Sequence, residues 1–522
     1  MSDAGQERDE PGRPSRSWLR RIGKRRWLWL SIFGVSLGLF LIRFLIPVPV
    51  GQADNRDGPR LMCGALGLKP VVPHRHSPYY GYAYFQYAPG HCGRSPYVTS
   101  ELAPLLVARV LTPVLGLRGT LNLVALGVIM CVIASVAIAS LATGLRIRPW
   151  AQVLVAAAIW LIVADSTFFD VFASPYSEPA AIVGVVLVAA GVLYLGRDQR
   201  ASLRGIAMAG IGGVLVVLAK EQYVLLAVPI CLTLVLASRS SDGGRGLQRF
   251  RTRQATAAVV VAGLLAVLAA AYQVWNAHSP YGVRTQPMRA VDTIFEHIVK
   301  QDDTTKAADL RALGLPVSWS KYAGTFYWGP RSVRTDPLYH RYEPKLTDSH
   351  MALYFLTHPG KIISVGNQAA TEGLRVHYTY IGDYSLNAAK PVGATDSREL
   401  VFSWVAQRLP PHYGLLWLVL LWLSTASVAL IALRRRRLPW HRDCAVAVLC
   451  MTGCAAVGFI PPAYFDGIES ARHMAVINLC LGLAFTLSAA LAASMIANGA
   501  KRVPRRSAAE SAESSPELAT NR

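Results

Sequence analysis

Two carboxylates and two guanidiniums fall within the short run Asp54-Asn55-Arg56-Asp57-Gly58-Pro59-Arg60. It follows directly on a long apolar segment, Trp27 to Val50. An anchor leaving a membrane has no need of that charge. Paired carboxylates at a phase boundary can take a proton from a hydroxyl, bind a metal or orient a sugar.

Four other stretches carry similar chemistry: Asp165 and Asp170; Tyr176-Ser177-Glu178; Lys220-Glu221-Gln222-Tyr223; and Asp466, Glu469, Arg472 and His473. Each sits at the edge of an apolar segment. Ionisable groups near membrane depth are costly unless paired or at work, so their gathering on one face implies a site. Each also has a plainer reading. Asp57 can pair with Arg60 or cap the turn that Pro59 begins. Glu178 complements the dipole of the helix it starts. Lys220 and Glu221 can neutralise each other in a hairpin. Arg472 and His473 can snorkel to the interface.

The elements that position these residues are set by composition. Of 522 residues, 52% are hydrophobic and only 16% charged, against about a quarter charged in a soluble protein. The chain is therefore an all-α polytopic membrane protein. Ten apolar windows mark its spans: 27–47, 119–143, 149–164, 179–196, 204–219, 223–238, 255–275, 413–433, 442–461 and 473–497. The net charge of +22 is not a nucleic-acid signal. Much of it lies in short links such as Arg146–Arg148, Arg197–Arg204, Arg239–Arg253 and Arg434–Arg442, where it fixes topology. These links, the cluster Arg20 to Arg26 and the tail cations Lys501, Arg502, Arg505 and Arg506 place both termini in the cytoplasm. Trp27 to Val50 has the length of a span rather than of a cleaved signal.

The domain plan is a basic cytoplasmic N-terminus (1–26), a transmembrane core (27–275) with a first external loop (48–116), and a large external loop region (276–412). The last transmembrane helices (413–497) and a cytoplasmic tail (498–522) complete it. Residues 1–17 and 503–522 have the composition of disorder. The large loop reads as mixed, with a helix-like piece over Met351–Tyr380. Six of the eight cysteines fall in or beside apolar spans; Cys63 and Cys92 share the first loop, where an oxidising face suits a disulfide. That loop also holds Tyr79, Tyr80, Tyr82, Tyr84, Phe85 and Tyr87, which suit either sugar stacking or an interfacial belt. His74 and His76 are too weakly patterned to define a metal site. No Gly-rich phosphate loop is present, which argues against a cytoplasmic ATPase.

An acidic residue in the first external loop, alternating short and long loops and a hairpin of short spans together resemble the GT-C superfamily of integral-membrane glycosyltransferases. The run ADNRDGPRLMCGALGL, Ala53 to Leu68, is similar to the first loop of its bacterial hexose transferases, with Asp57, Arg60 and Leu66-Gly67-Leu68 at the matching positions. Tyr354 to Lys361 resembles the F-L-x-H-P helix of their last long loop. The likeness spans residues 27–497. It departs from the protein mannosyltransferase branch, whose first loop holds an adjacent Asp-Glu pair, and this leaves the acceptor open.

The resemblance implies transfer of a hexose or pentose from a polyprenyl-phosphate donor to a cell-envelope glycan, lipid or protein, with inversion, at the extracytoplasmic face of the plasma membrane. Asp57 would be the base, with Glu178 its partner and Asp54 in support. Lys220, Arg472 and Arg60 would receive the phosphate, and Tyr176, Glu221, Tyr223 and His473 would contact substrate. Metal use stays open: a carboxylate pair can hold a divalent cation, yet Lys and Arg alone can serve a phosphate leaving group. The competing classes are a polymerase or ligase of lipid-linked glycans, a transporter or flippase, and a non-catalytic scaffold. A transporter predicts internal repeats and mid-membrane breaks; no convincing repeat is present.

Overall fold

All ten apolar windows fold as helix in the computed structural model, which describes residues 16–93, 96–196, 199–239, 248–300, 303–377, 379–435 and 438–500. Most of the N-terminal polar stretch 1–17, the whole of 503–522 and the tail cations Lys501, Arg502, Arg505 and Arg506 lie outside the described residues.

The helices of 13 residues or more are, in chain order, α1 (Arg16–Leu45), α2 (Leu102–Val114), α3 (Leu123–Gly144), α4 (Pro149–Ala164), α5 (Glu178–Val192), α6 (Gln199–Val217), α7 (Ala227–Arg239), α8 (Gln248–His278), α9 (Pro280–Asp292), α10 (Pro359–Gly373), α11 (Gly414–Arg435), α12 (Pro439–Gly458) and α13 (Ala475–Ala500). Among the described residues, six (α1, α3, α8, α11, α12 and α13) carry segments long and apolar enough to cross a membrane. The third window, α4, continues into Ser166–Ala173 through a 67° bend, and the two count as a seventh span if taken together. Windows four to six fall on shorter apolar helices, and α2 is a further short one outside the ten. The protein is a polytopic all-α membrane protein whose short helices begin or end at polar residues.

α5 is apolar on every side and buried along its whole length, which makes it the centre of the bundle. It packs on α6 through glycines. A Cβ on Gly184 would lie 2.8 Å from the Gly212 carbonyl, and one on Gly191 2.5 Å from the Ala209 nitrogen. Small residues let helices approach this closely where lipid removes the hydrophobic drive to associate. The pairing brings the start of α5, Glu178, to the end of α6, where Lys220 follows.

The first loop carries a three-stranded antiparallel sheet, β1 (Leu68–Pro70), β2 (Gln86–Pro89) and β3 (Leu121–Asn122), with Leu68 opposite Pro89 and Tyr87 opposite Leu121. A Cys63–Cys92 disulfide ties the chain just before β1 to the chain just after β2. Asn122 then caps α3 by accepting the Val124 N–H at 3.0 Å.

Residues 280–374 build a second core around Phe295, Trp319, Tyr339 and Tyr354. The helix expected over Met351–Tyr380 is interrupted: one piece ends at Thr357, and α10 restarts at Pro359, because proline disfavours helical backbone in the residue before it. Of the F-L-x-H-P residues Phe355 belongs to this core, while Leu356 is exposed. His358 stacks on Tyr354, and Lys361 pairs with Asp309 at 2.6 Å.

Candidate functional site

The first-loop turn is built by Asp54. Its Oδ1 accepts the N–H groups of Arg56 at 2.7 Å and Gly58 at 3.0 Å, a short-range turn that carboxylates favour. Gly58 is required there, since a Cβ would meet Asp54 Oδ2 at 2.5 Å. Tyr176 staples the loop from below: its hydroxyl donates to the Ala53 carbonyl and accepts the Asn55 N–H at 2.8 Å. Asn55 in turn donates to both Glu469 oxygens at 3.1 Å. The turn leaves Asp57 pointing outward, with 44% of its side chain exposed.

Asp57 faces an open cavity whose lining includes Arg60, Tyr176, Glu178, Lys220, Glu221, Arg289, Asp466, Glu469, Arg472 and His473. Arg472 is its hub. The guanidinium lies 2.7 Å from Asp57, 2.6 Å from Glu469 and 3.6 Å from Glu178. Lys220 Nζ is 3.1 Å from Glu178. His473 Nδ1 is 2.8 Å from Asp466, which also accepts from Gln222. Arg289, from α9, holds Glu221 at 2.5 Å. Among the described residues Arg60 makes no ion pair; its guanidinium lies against the rings of Tyr97 and Tyr281.

These contacts set the protonation states. Burial pushes the Asp57 carboxyl up, but Arg472 foremost, and then Lys220, hold it well below the usual carboxylate range. Burial likewise opposes ionisation of Asp466, and His473 beside it brings its pKa below the ordinary value. Asp54 goes the other way. Burial raises it to about 7 against the pull of the Gly58 and Arg56 N–H groups.

Of the residues singled out by sequence, Asp57, Arg60, Tyr176, Glu178, Lys220, Glu221, Arg472 and His473 line this cavity. Asp54 lies behind the turn, where it helps line a separate hollow with Tyr79, Tyr87 and the disulfide. Tyr223 is fully buried in the helical core and is not among the residues that line the cavity. Asp165 and Asp170 do not join the cluster. Asp165 caps Thr167 and holds Ser403, while Asp170 pairs with Arg43 at 3.2 Å beside Asp396. Their apolar flanks suggested a shared face, but the 67° bend carries them elsewhere. His74 and His76 are exposed. Among the described residues no group of three or more His, Cys, Asp or Glu is placed to hold a metal ion.

Sequence reading missed the α9 wall. Tyr281, Thr285, Met288 and Arg289 enter the lining from one face of a short polar helix, and Tyr97 joins them from the first loop. Their i, i+4 and i+7 spacing was visible, but nothing marked which loop helix would be folded back over the membrane end.

A bundle of apolar helices with a charged cavity where several of them end defines a multi-pass membrane protein. The chain belongs to the family described as the YfdI N-terminal transmembrane domain, whose model matches residues 16–508. No curated protein and no solved structure matches it.

Proposed function

We propose that the protein is an inverting membrane glycosyltransferase that moves a hexose or pentose from a polyprenyl-phosphate donor to an envelope acceptor. The observation that carries this reading is a half-exposed, ionised Asp57 in one cavity with Lys220, Arg472 and Arg60. A carboxylate held ionised is ready to accept the proton of an acceptor hydroxyl. The hydroxyl oxygen then attacks the anomeric carbon as the bond to the phosphate oxygen breaks. The departing phosphate is an anion, and preorganised cations at that position lower the barrier. Arg60 suits the task best, since among the described residues it meets no carboxylate and its planar fork matches phosphate oxygens. Lys220 and Arg472 add charge while holding Glu178 and Asp57.

A lipid-linked donor fits a cavity at the ends of membrane helices, because the bilayer stores the isoprenoid chain and no nucleotide pool exists outside the cytoplasm. With the basic links inside, the cavity faces the extracytoplasmic side of the plasma membrane and both termini are cytoplasmic. The test is purified protein in lipid, given a polyprenyl-phosphate hexose or pentose. Sugar transfer with release of polyprenyl phosphate is expected. Donor left intact across all acceptors overturns the reading, and donor moved between leaflets without bond cleavage favours a flippase.

A further inference from the structure

Of the six aromatic residues between Tyr79 and Tyr87, all but Tyr80 are engaged in packing. Tyr87 is buried, and Phe85 lies where a Cβ on Gly51 would meet its ring at 2.6 Å. The Tyr84 hydroxyl donates to the Ser77 carbonyl at 3.1 Å, Tyr82 meets the His76 ring edge-on, and Tyr79 lies under the Arg56 guanidinium. Tyr80 alone of the six is 40% exposed.

Its backbone is held in the left-handed region, φ +65°, a conformation costly for a tyrosine and maintained only where surroundings impose it. The restraint is visible. Its N–H donates to the Asp54 carbonyl at 2.8 Å, and its carbonyl accepts the Gly382 N–H at 2.8 Å. Arg56 and Glu469, on either side of Asp57 and Arg472, also have positive φ, +88° and +55°. Of these three strained positions Glu469 lines the cavity, and Arg56 and Tyr80 lie in the loop that carries Asp57.

The Gly382 segment brings a second ring. Tyr380 is 45% exposed, while its neighbour Ile381 is fully buried against Ala53, with Ala471 packed on the pair. Ala53 adjoins the Asp54 turn, and Ala471 adjoins Arg472. Tyr80 is in the field of Glu469, Arg56 and Asp57, and Tyr380 in that of Arg472. Two exposed rings thus stand outside the cavity lining, on segments that backbone hydrogen bonds and the Ala53–Ile381–Ala471 contact tie to the Asp54 turn and to the neighbour of Arg472.

Sugars present flat C–H faces that bury well against an aromatic ring, and tyrosine adds a polar tip for a hydroxyl. Resting on the glycosyltransferase reading, we propose that Tyr80 and Tyr380 are the acceptor clamp. They stack on the sugar whose hydroxyl loses its proton to Asp57 and whose oxygen forms the new bond to the anomeric carbon. The acceptor is accordingly a carbohydrate rather than a peptide or a simple lipid.

The test uses the full chain in lipid, a polyprenyl-phosphate hexose as donor, and soluble hexose and pentose trisaccharides beside peptide and lipid acceptors. Both transfer and donor hydrolysis by water are recorded. Tyr80→Ala and Tyr380→Ala should each raise the trisaccharide KM and lower the transfer-to-hydrolysis ratio about tenfold, the size of one lost ring contact. Tyr80→Phe and Tyr380→Phe keep the stacking face and should stay within about twofold of wild type. The proposal is overturned by an unchanged KM in both alanine variants, by phenylalanine variants as impaired as alanine ones, or by transfer and hydrolysis falling together. Transfer to peptide or lipid acceptors alone also overturns it. Wild-type protein that consumes no donor at all marks failure of the glycosyltransferase reading itself, and the clamp falls with it.

Discussion

The Arg472 guanidinium lies 2.7 Å from the Asp57 carboxylate across 415 residues of chain. The two ends of the sequence therefore meet at the one carboxylate that the first loop turns outward. The contact keeps Asp57 ionised and, by the same means, weakens it as a base. An incoming phosphate that competes for Arg472 would loosen the pair and raise the basicity of Asp57 when an acceptor hydroxyl is present.

Asp57→Asn keeps the shape of the side chain and removes the proton acceptor. Turnover should fall about 100-fold or more, the usual worth of a general base, with the protein still folded. Initial rates of sugar transfer in lipid decide this. Wild-type rates would sink the assignment of Asp57 as base.

Arg472→Ala strips three carboxylates, Asp57, Glu178 and Glu469, of a shared partner that is itself only 3% exposed. Removing one side of a buried ionic cluster costs about 3 kcal/mol or more. The unfolding temperature in detergent should drop by several degrees. Adding Asp57→Asn should restore part of the loss, because one orphaned charge is gone. Strictly additive effects would show that the two residues are not coupled.

Asp54 and Asp57 should respond to pH with opposite sign. Asp57 is held below its ordinary value of about 3.9. Its stabilisation is fully present above that value and lost as pH falls through the lower folded pKa. Asp54 is raised to about 7, so its protonated form stabilises below about pH 4 and that gain disappears as pH rises towards 7. Asp54→Asn keeps an oxygen for the Arg56 and Gly58 amides and removes the titration. Its melting temperature relative to wild type should climb from about pH 4 to 7 and then level off. Parallel curves over that range would contradict a buried, titrating Asp54.

The Cys63–Cys92 bridge closes a loop of 29 residues in sequence separation, immediately after the Asp57–Arg60 turn. Its removal should cost about 3 kcal/mol, open the first loop to protease and reduce turnover. Mass tagging of thiols with and without reductant checks the bond; identical mobility in both lanes means that it does not form.

Topology can be read separately. A single cysteine near Tyr79 should react with a membrane-impermeant reagent in intact cells, and one near Arg435 only after permeabilisation. Matching accessibility at both positions would remove the extracytoplasmic placement of the cavity.

Composition and hydropathy by themselves determined the class of this protein and where its helices lie, because lipid demands apolar stretches whose backbone is satisfied internally. Local chemistry also marked Asp57, Glu178, Lys220 and Arg472, whose charges stand out at the edges of apolar runs. Their meeting depended on packing that no local pattern records: the glycine contacts of α5 with α6, which bring Glu178 to Lys220, and the return of the Glu469–His473 segment, just before α13, to the first loop. The tertiary structure likewise sent Asp165 and Asp170 to a different buried network through the bend after α4, and placed Tyr223 in the core. It also folded α9 over the cavity with Arg289 and Tyr281. Of two carboxylates three residues apart, it turned Asp54 inward to hold the loop and Asp57 outward to face the cavity. Sequence spacing treats such neighbours alike, and only the hydrogen bonds of the folded turn distinguish them.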